Sequence, residues 1–102
     1  MRIKQEMLFR GNINFVEFYS ANEFDLVREV VETIEKEIGV SIENYSVTDL
    51  VARRVRSKFE RENWRFNDFQ NATLKNTFIS GVLEDDGLLE TVRRNLTNAN
   101  NF

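Results

Sequence analysis

The chain has no cysteine and no histidine among its 102 residues. This absence excludes disulfide bridges, the usual structural zinc sites, and catalysis that depends on a thiolate or an imidazole. A chain of this length can be stable on hydrophobic burial alone, because one core removes about 60 to 65% of the unfolded surface from water. Nine phenylalanines and an apolar content of 41% supply such a core. The sequence therefore predicts one small domain over residues 1–102, with residues 95–102 as a frayed tail.

Two apolar segments near the N-terminus predict a β-hairpin. Residues 2–9 and 13–19 are rich in apolar side chains, and the step Arg10-Gly11-Asn12 between them contains residues that tolerate a positive φ angle. Apolar residues occur on both faces of this hairpin, so one face is expected to pack on helices. The predicted fold is α+β, with the N-terminal β-hairpin packed against two or three helices.

Helical spacing of apolar residues is clearest over residues 22–38, where Asn22 is the expected N-cap and Gly39 the expected C-cap. A second helix is predicted to begin at Ser46 and to end near Glu62, with its apolar residues on one stripe. These two helices are the central elements of the predicted fold.

The last third of the chain fits more than one structure. Residues 74–83 fit a helix, but 77–83 fit the first strand of a hairpin equally well. The Asp-Asp-Gly sequence at 85–87 is typical of a turn. After it, residues 88–92 fit a strand, and residues 88–96 fit a final helix. We predict a helix over about 68–84, followed by a short C-terminal strand or hairpin.

Residues 78–94, with the sequence FISGVLEDDGLLETVRR, resemble the end of a winged-helix domain. In that family a recognition helix runs into a strand and a basic wing, so the resemblance implies a strand after Gly87. It covers less than a quarter of the chain. No site residue is transferred from the family, because this chain has an expected N-terminal hairpin, an acidic first helix and little room for a wing.

The two predicted helices carry opposite charges. Residues 22–38 contain six acidic and two basic residues, a formal charge of −4, whereas residues 50–65 contain six basic and two acidic residues, a formal charge of +4. Five of those six cations are arginine, whose planar guanidinium can donate two hydrogen bonds to one phosphate or carboxylate. The stretch 69–83 contains no acidic residue at all. This charge pattern favours a nucleic acid as the ligand.

The first functional prediction is regulation by nucleic-acid binding, without catalysis and without a cofactor, and with DNA favoured over RNA. Basic side chains are expected to contact the phosphate backbone, while Lys75, Asn71 and Asn76 are expected to contact base edges. The chain as a whole carries a formal charge of −3, which argues against this prediction, since nucleic-acid-binding domains are usually basic. The predicted phosphate contacts are Arg53, Arg54, Arg56, Lys58, Arg61 and Arg65.

Trp64, Phe66 and Phe69 lie next to Arg61 and Arg65 in the sequence, and two roles are open to them. They could stack on the bases of a single strand. Alternatively they could belong to the hydrophobic core, with the acidic and basic helices packed side by side and neutralising each other.

A protein partner is the alternative to a nucleic acid. The acidic helix is expected to present glutamates to a basic protein, as a small inhibitor or adaptor would. The edge of the hairpin could add to a sheet of a target or of a second copy, so a homodimer is a further expectation. The predicted partner-binding residues are Glu29, Glu32, Glu35 and Glu37.

Catalysis and metal binding are not predicted. The serines have no histidine to act as a base, and the four glycines are too far apart to form a phosphate-binding loop. The acids around Asp85 and Glu90 lack the spacing of a calcium-binding loop. The N-terminus shows no signal-peptide pattern and no segment is apolar enough for a membrane helix, so we predict a cytoplasmic protein without a membrane partner.

Overall fold

A computed structural model describes the backbone of residues 3–9, 12–18, 21–43 and 45–99, and the side chains of residues 21–43 and 46–96. The strands in these ranges are β1 (Ile3–Phe9) and β2 (Asn12–Phe18). The α-helices are α1 (Ala21–Ile38), α2 (Tyr45–Arg61), α3 (Ala72–Ser80) and α4 (Leu88–Ala99). A 3₁₀ helix (Phe66–Gln70) precedes α3, and a π-helical turn (Gly81–Asp85) follows it.

The α+β fold predicted from the sequence is wrong. The residues whose side chains are described contain four helices and no strand, and the predicted C-terminal strand or hairpin is the helix α4. In the described backbone, β1 and β2 are paired only with each other, antiparallel from Ile3 opposite Phe18 to Phe9 opposite Asn12. The expected packing of a hairpin against the helices is not seen. The part of the chain whose side chains are described is helical.

The segment after the Asp-Gly turn is a helix because its apolar residues recur every fourth position. Leu88 and Val92 are both buried, whereas Glu90 and Arg93 are exposed. Glu90 and Arg93 also form an ion pair of 3.1 Å at the i,i+3 spacing that helices favour. The strand implied by the winged-helix resemblance is therefore not formed here. Helix α4 continues through residues 95–99, where fraying is predicted above, and residues 100–102 lie outside the described part.

The chain divides into two compact units, residues 1–53 and 54–102, with the boundary inside α2. We call them the N-terminal and C-terminal units. In the N-terminal unit, the predicted helix over 22–38 is confirmed, but it begins at Ala21, so Asn22 lies inside it. Gly39, with a φ of 83°, donates its N–H to the carbonyl of Glu35 and ends α1. Where side chains are described, the buried apolar residues of this unit are Leu26, Val27, Val30, Val31, Ile34, Ile42, Val47, Val51 and Ala52.

The C-terminal unit begins in the second half of α2. The predicted second helix is confirmed within one residue at each end. The helix predicted over 68–84 is instead three consecutive helical segments, because Asn71 interrupts it with an extended backbone and caps α3. Within residues 54–96, the buried apolar residues are Val55, Phe78, Ile79, Val82, Leu83, Leu88 and Val92.

Candidate nucleic-acid interface

Three of the predicted phosphate contacts share one face of α2. Arg54, Lys58 and Arg61 are spaced by four and three residues, which places them on the same side of a helix. Arg53 lies off this stripe. Its side chain is 75% exposed, and its Nε lies 2.9 Å from Oδ2 of Asp49 one turn earlier. The stripe of Arg54, Lys58 and Arg61 is thus separate from the exposed Arg53.

This stripe of cations converges on Asp86. Nη2 of Arg61 lies 3.2 Å from Oδ2 of Asp86, and Nζ of Lys58 lies 3.6 Å from the same oxygen. Arg54 donates from Nη1 to the backbone carbonyl of Asp86 at 3.4 Å. We call these four residues the Asp86 cluster. Asp86 directly follows the π-helical turn, where its N–H donates to the carbonyl of Gly81 at 3.0 Å.

Lys58 is the buried member of the cluster, with only 5% of its surface exposed. Its Nζ lies 2.8 Å from Oε2 of Glu62, closer than to Asp86. A Cβ atom at Gly81 would lie 3.0 Å from this Nζ, so the glycine leaves the room that the lysine occupies. A buried ammonium needs such carboxylate partners, because desolvation without them is costly. In this structure the ammonium of Lys58 therefore lies against two carboxylates of the protein itself.

Glu62 connects the Asp86 cluster to the neighbouring aromatic residues. Its Oε2 accepts a hydrogen bond from Lys58, and its Oε1 accepts one from Nε1 of Trp64 at 2.9 Å. The hydrogen bond from Lys58, and to a lesser extent that from Trp64, lowers the pKa of Glu62 below its ordinary value of 4.5. Nη2 of Arg61 lies 3.8 Å from Oε2 of the same carboxylate. Glu62 thus holds a cation and an indole ring beside each other.

Five aromatic rings pack together in the C-terminal unit. Phe59 stacks on Phe66 with ring centroids 4.5 Å apart, and Trp64 stacks on Phe69 at 5.4 Å. Phe78 is fully buried, and its ring lies 5.5 Å from that of Trp64 and 5.2 Å from that of Phe69. The other four rings are half-buried. Trp64, Phe66 and Phe69 therefore belong to a small aromatic core and also keep part of their surface exposed.

The predicted base contacts lie in or beside α3, in the stretch without acidic residues. Asn71 is its N-cap, and its Oδ1 accepts the N–H groups of Thr73 at 2.9 Å and Leu74 at 3.2 Å. Lys75 is half-buried and has an interaction partner of its own, whereas Asn76 is exposed. The carbonyl oxygen of Asn71 therefore has a structural role.

Arg65 and Arg56 complete the predicted phosphate contacts. Arg65 is exposed, and its backbone N–H donates to Oδ2 of Asp68 at 2.9 Å, at the start of the 3₁₀ helix. Its guanidinium forms no ion pair with the described residues, whereas Arg56 is half-buried and has a partner. Arg61, with a side chain 56% exposed, and Arg65 are thus two surface guanidinium groups close in sequence to Trp64.

The acidic residues predicted for a protein partner have different environments. Glu32 and Glu37 are exposed, and Glu29 is half-buried. Glu35 is buried, and its Oε2 accepts the backbone N–H of Ile42 at 2.8 Å. This carboxylate stabilises the chain after α1 rather than facing a partner, so its predicted place on the outer face is wrong. An open groove of about 470 Å³ lies beside it, lined by Glu32, Glu35, Lys36, Gly39, Val40 and Ser41.

The sequence reasoning missed the two carboxylates that organise the cations. Glu62 could have been found, because it lies four residues after Lys58 in the predicted second helix, where opposite charges attract. Asp86 lies 25 residues after Arg61, and no local pattern joins the two. Only the return of the chain through α3 and the π-helical turn brings them together.

Other kinds of site can be judged from the same residues. No three acidic side chains within 21–43 and 46–96 come together as a metal site requires. No helix that the structure describes is both long enough and apolar enough to cross a membrane.

Comparisons of the chain with protein-family models, with curated proteins and with solved structures gave no match. Function is therefore inferred from the arrangement of the residues themselves.

Proposed function

We propose that this protein is a non-catalytic, cytoplasmic regulatory protein that binds single-stranded nucleic acid through its C-terminal unit. The observation that carries the proposal is the arrangement around Glu62, whose two carboxylate oxygens contact Arg61 and Trp64. A group that binds phosphate and a ring that can stack on a base are thereby held side by side. Arg65, exposed and next to Trp64 in the chain, adds a second phosphate-binding group.

A single strand suits this surface better than a duplex. Bases in a single strand are free to stack on aromatic side chains, and such stacking contributes about 1 to 3 kcal/mol per base. Trp64, Phe66 and Phe69 are half-buried, so they pack in the core while part of each residue stays exposed. The stretch 69–83 that follows has no acidic side chain to repel phosphates. Within a duplex the base faces are already stacked and are not available to these rings.

Fluorescence anisotropy of labelled single-stranded DNA and RNA, each about 12 nucleotides long to match a small binding site, tests this proposal. We expect binding that weakens strongly between ~50 and ~200 mM salt, because counterions are released from the phosphates. The protein has one tryptophan, so quenching of its intrinsic fluorescence reports contact at Trp64 itself. Arg65→Ala should weaken binding and reduce the salt slope by about 0.7, the value for one phosphate contact on a single strand.

Lys36→Ala is the matched control, since it removes an exposed cation from α1 in the N-terminal unit. It should leave the affinity nearly unchanged. The proposal is rejected if the wild-type protein does not bind either strand at ~50 mM salt. It is also rejected if Arg65→Ala and Lys36→Ala have the same effect.

A basic protein partner is the second candidate, and the exposure of Glu32 and Glu37 on α1 favours it. The exposed surface of α1 also contains Arg28 and Lys36, which makes it less acidic than the sequence alone indicates. We therefore rank this candidate below the nucleic acid.

A further inference from the structure

We propose that Asp86 occupies a phosphate-binding site of this interface, and that a phosphate of a single-stranded nucleic acid displaces its carboxylate. The inference rests on the proposed function and adds its regulation, since the protein would carry its own competitor for the ligand. The site consists of the Asp86 cluster, in which Arg54, Lys58 and Arg61 surround one acidic residue.

The geometry of the cluster resembles that of an anion site with an internal occupant. Oδ2 of Asp86 lies 3.2 Å from Nη2 of Arg61 and 3.6 Å from Nζ of Lys58, and the Asp86 carbonyl accepts from Arg54. Guanidinium groups bind phosphates and carboxylates through the same hydrogen bonds. A phosphate oxygen at the position of this carboxylate oxygen would therefore accept from Arg61 and lie close to the charge of Lys58.

The exposed location of the pair permits exchange. The side chain of Asp86 is 25% exposed and that of Arg61 is 56% exposed, so a ligand can approach both from solvent. Ion pairs at such positions contribute little to stability, because water screens them. A phosphate that also gains base stacking on Trp64 would compete with the carboxylate.

Displacement of the carboxylate leaves the rest of the cluster intact. Lys58 retains Glu62 at 2.8 Å, so no buried cation loses its last partner. The backbone of Asp86 is held independently of its side chain, because its N–H donates to Gly81 at 3.0 Å and the N–H of Gly87 donates to Glu84 at 3.2 Å. Rotation of the Asp86 side chain therefore removes its carboxylate from Arg61, which keeps only the longer separation of 3.8 Å to Glu62 among its carboxylate contacts in the described residues.

Asp86→Asn tests the inference by removing the negative charge and preserving the size of the side chain. We expect the affinity for the labelled single strand to rise about three- to tenfold at ~50 mM salt, with a salt slope steeper by about 0.7. The matched control is Glu84→Gln, which removes the same charge two residues away in the π-helical turn. Glu84 is exposed, and its side chain contacts none of the cluster cations. The control should change the affinity by less than about twofold, since an exposed carboxylate that contacts none of the cations contributes little in water.

Several results would overturn the inference. An equal gain in both variants would mean that only overall charge matters, and no gain in Asp86→Asn would mean that the carboxylate does not compete. Either result would leave the proposed function standing, provided that the wild type binds and Arg65→Ala weakens binding. If neither the variants nor the wild type bind, both proposals fail.

A measurement on the wild-type protein keeps the inference testable if Asp86→Asn fails to fold. The ¹³Cγ chemical shift of Asp86 reports the environment of its carboxylate, and we expect it to move as oligonucleotide is added. An unmoved shift, under conditions where Trp64 fluorescence shows saturation, would overturn the inference.

Discussion

At the scale of single residues, the carboxylates of the C-terminal unit determine which cations are available at the surface. Glu62 and Asp86 both contact Lys58 and Arg61, but of these two cations only Lys58 is buried. Arg61 keeps more than half of its side chain exposed while contacting the same acids. A buried lysine with two carboxylate partners is a structural element, whereas an arginine on the rim can exchange one anion for another.

The depressed pKa of Glu62 makes a prediction about stability and pH. A carboxyl whose pKa is lowered in the folded state stabilises the protein above its unfolded pKa, near 4.5, and this contribution is lost as the pH falls through the folded value. Glu62→Gln should therefore lower the free energy of unfolding at pH 7 by about 0.5 to 1 kcal/mol. The effect is small because the side chain of Glu62 is 39% exposed and water screens its charge. The difference should shrink as the pH falls below 4.5.

Urea unfolding of both proteins at neutral and acidic pH measures this effect. Glu60→Gln is the control, because Glu60 is exposed in α2, two residues before Glu62, and its side chain is not paired with Lys58. A pH-independent difference between Glu62→Gln and the wild type would contradict the assignment of the pKa shift to the folded state.

At the scale of elements, α3 depends on one side chain at its start. Asn71 interrupts the helical path after the 3₁₀ helix, and its Oδ1 accepts two N–H groups that would otherwise have no partner in the helix. Asn71→Ala should destabilise the protein by about 1 kcal/mol, the usual effect of losing an N-cap. Asn76→Ala provides the comparison, since Asn76 is exposed inside the same helix and alanine favours helices.

The midpoint of urea unfolding reports the stability of both variants, and we expect a lower midpoint only for Asn71→Ala. Equal midpoints would show that the cap contributes nothing. Oligonucleotide affinity measured on the same proteins separates structure from recognition. A loss of affinity in Asn76→Ala without a loss of stability would support its predicted contact with a base.

At the scale of the whole molecule, the formal charge of −3 opposes the approach of a nucleic acid. Replacing Glu32 and Glu37 by lysine would change this charge to +1 and would alter only exposed positions of α1. We expect the association rate with a single strand to rise several-fold at ~50 mM salt and the gain to disappear at high salt, as for long-range steering. A basic protein partner bound through α1 would instead lose its affinity.

Stopped-flow anisotropy measures the rate, and Lys36→Glu supplies the opposite change of charge on the same helix. Lys36→Glu should slow the association of the protein with single-stranded nucleic acid. A slower association for the doubly substituted protein would contradict nucleic-acid binding and would favour the acidic surface of α1 as the binding site.

The sequence by itself determined the elements whose signal is local. The apolar periodicity of α1 and α2 predicts their ends within one residue, because a helix is specified by neighbours three and four positions apart. The same local signal could not choose between helix and strand for residues 88–96, where the apolar run is short, and there the predicted strand is wrong. The charge map likewise identified the basic segment but not which of its cations are available.

Tertiary structure alone decided the pairing of Arg61 with Asp86 and the burial of Glu35. Asp86 reaches Arg61 across 25 residues, and Glu35 turns inward to accept the N–H of Ile42 seven residues later, although its sequence neighbours suggest an exposed acidic face. Coulomb attraction and hydrogen bonding act through space, so they depend on where the folded chain returns rather than on spacing along it. The sequence therefore predicts where cations lie along a helix, and the fold determines whether each one faces a carboxylate or the solvent.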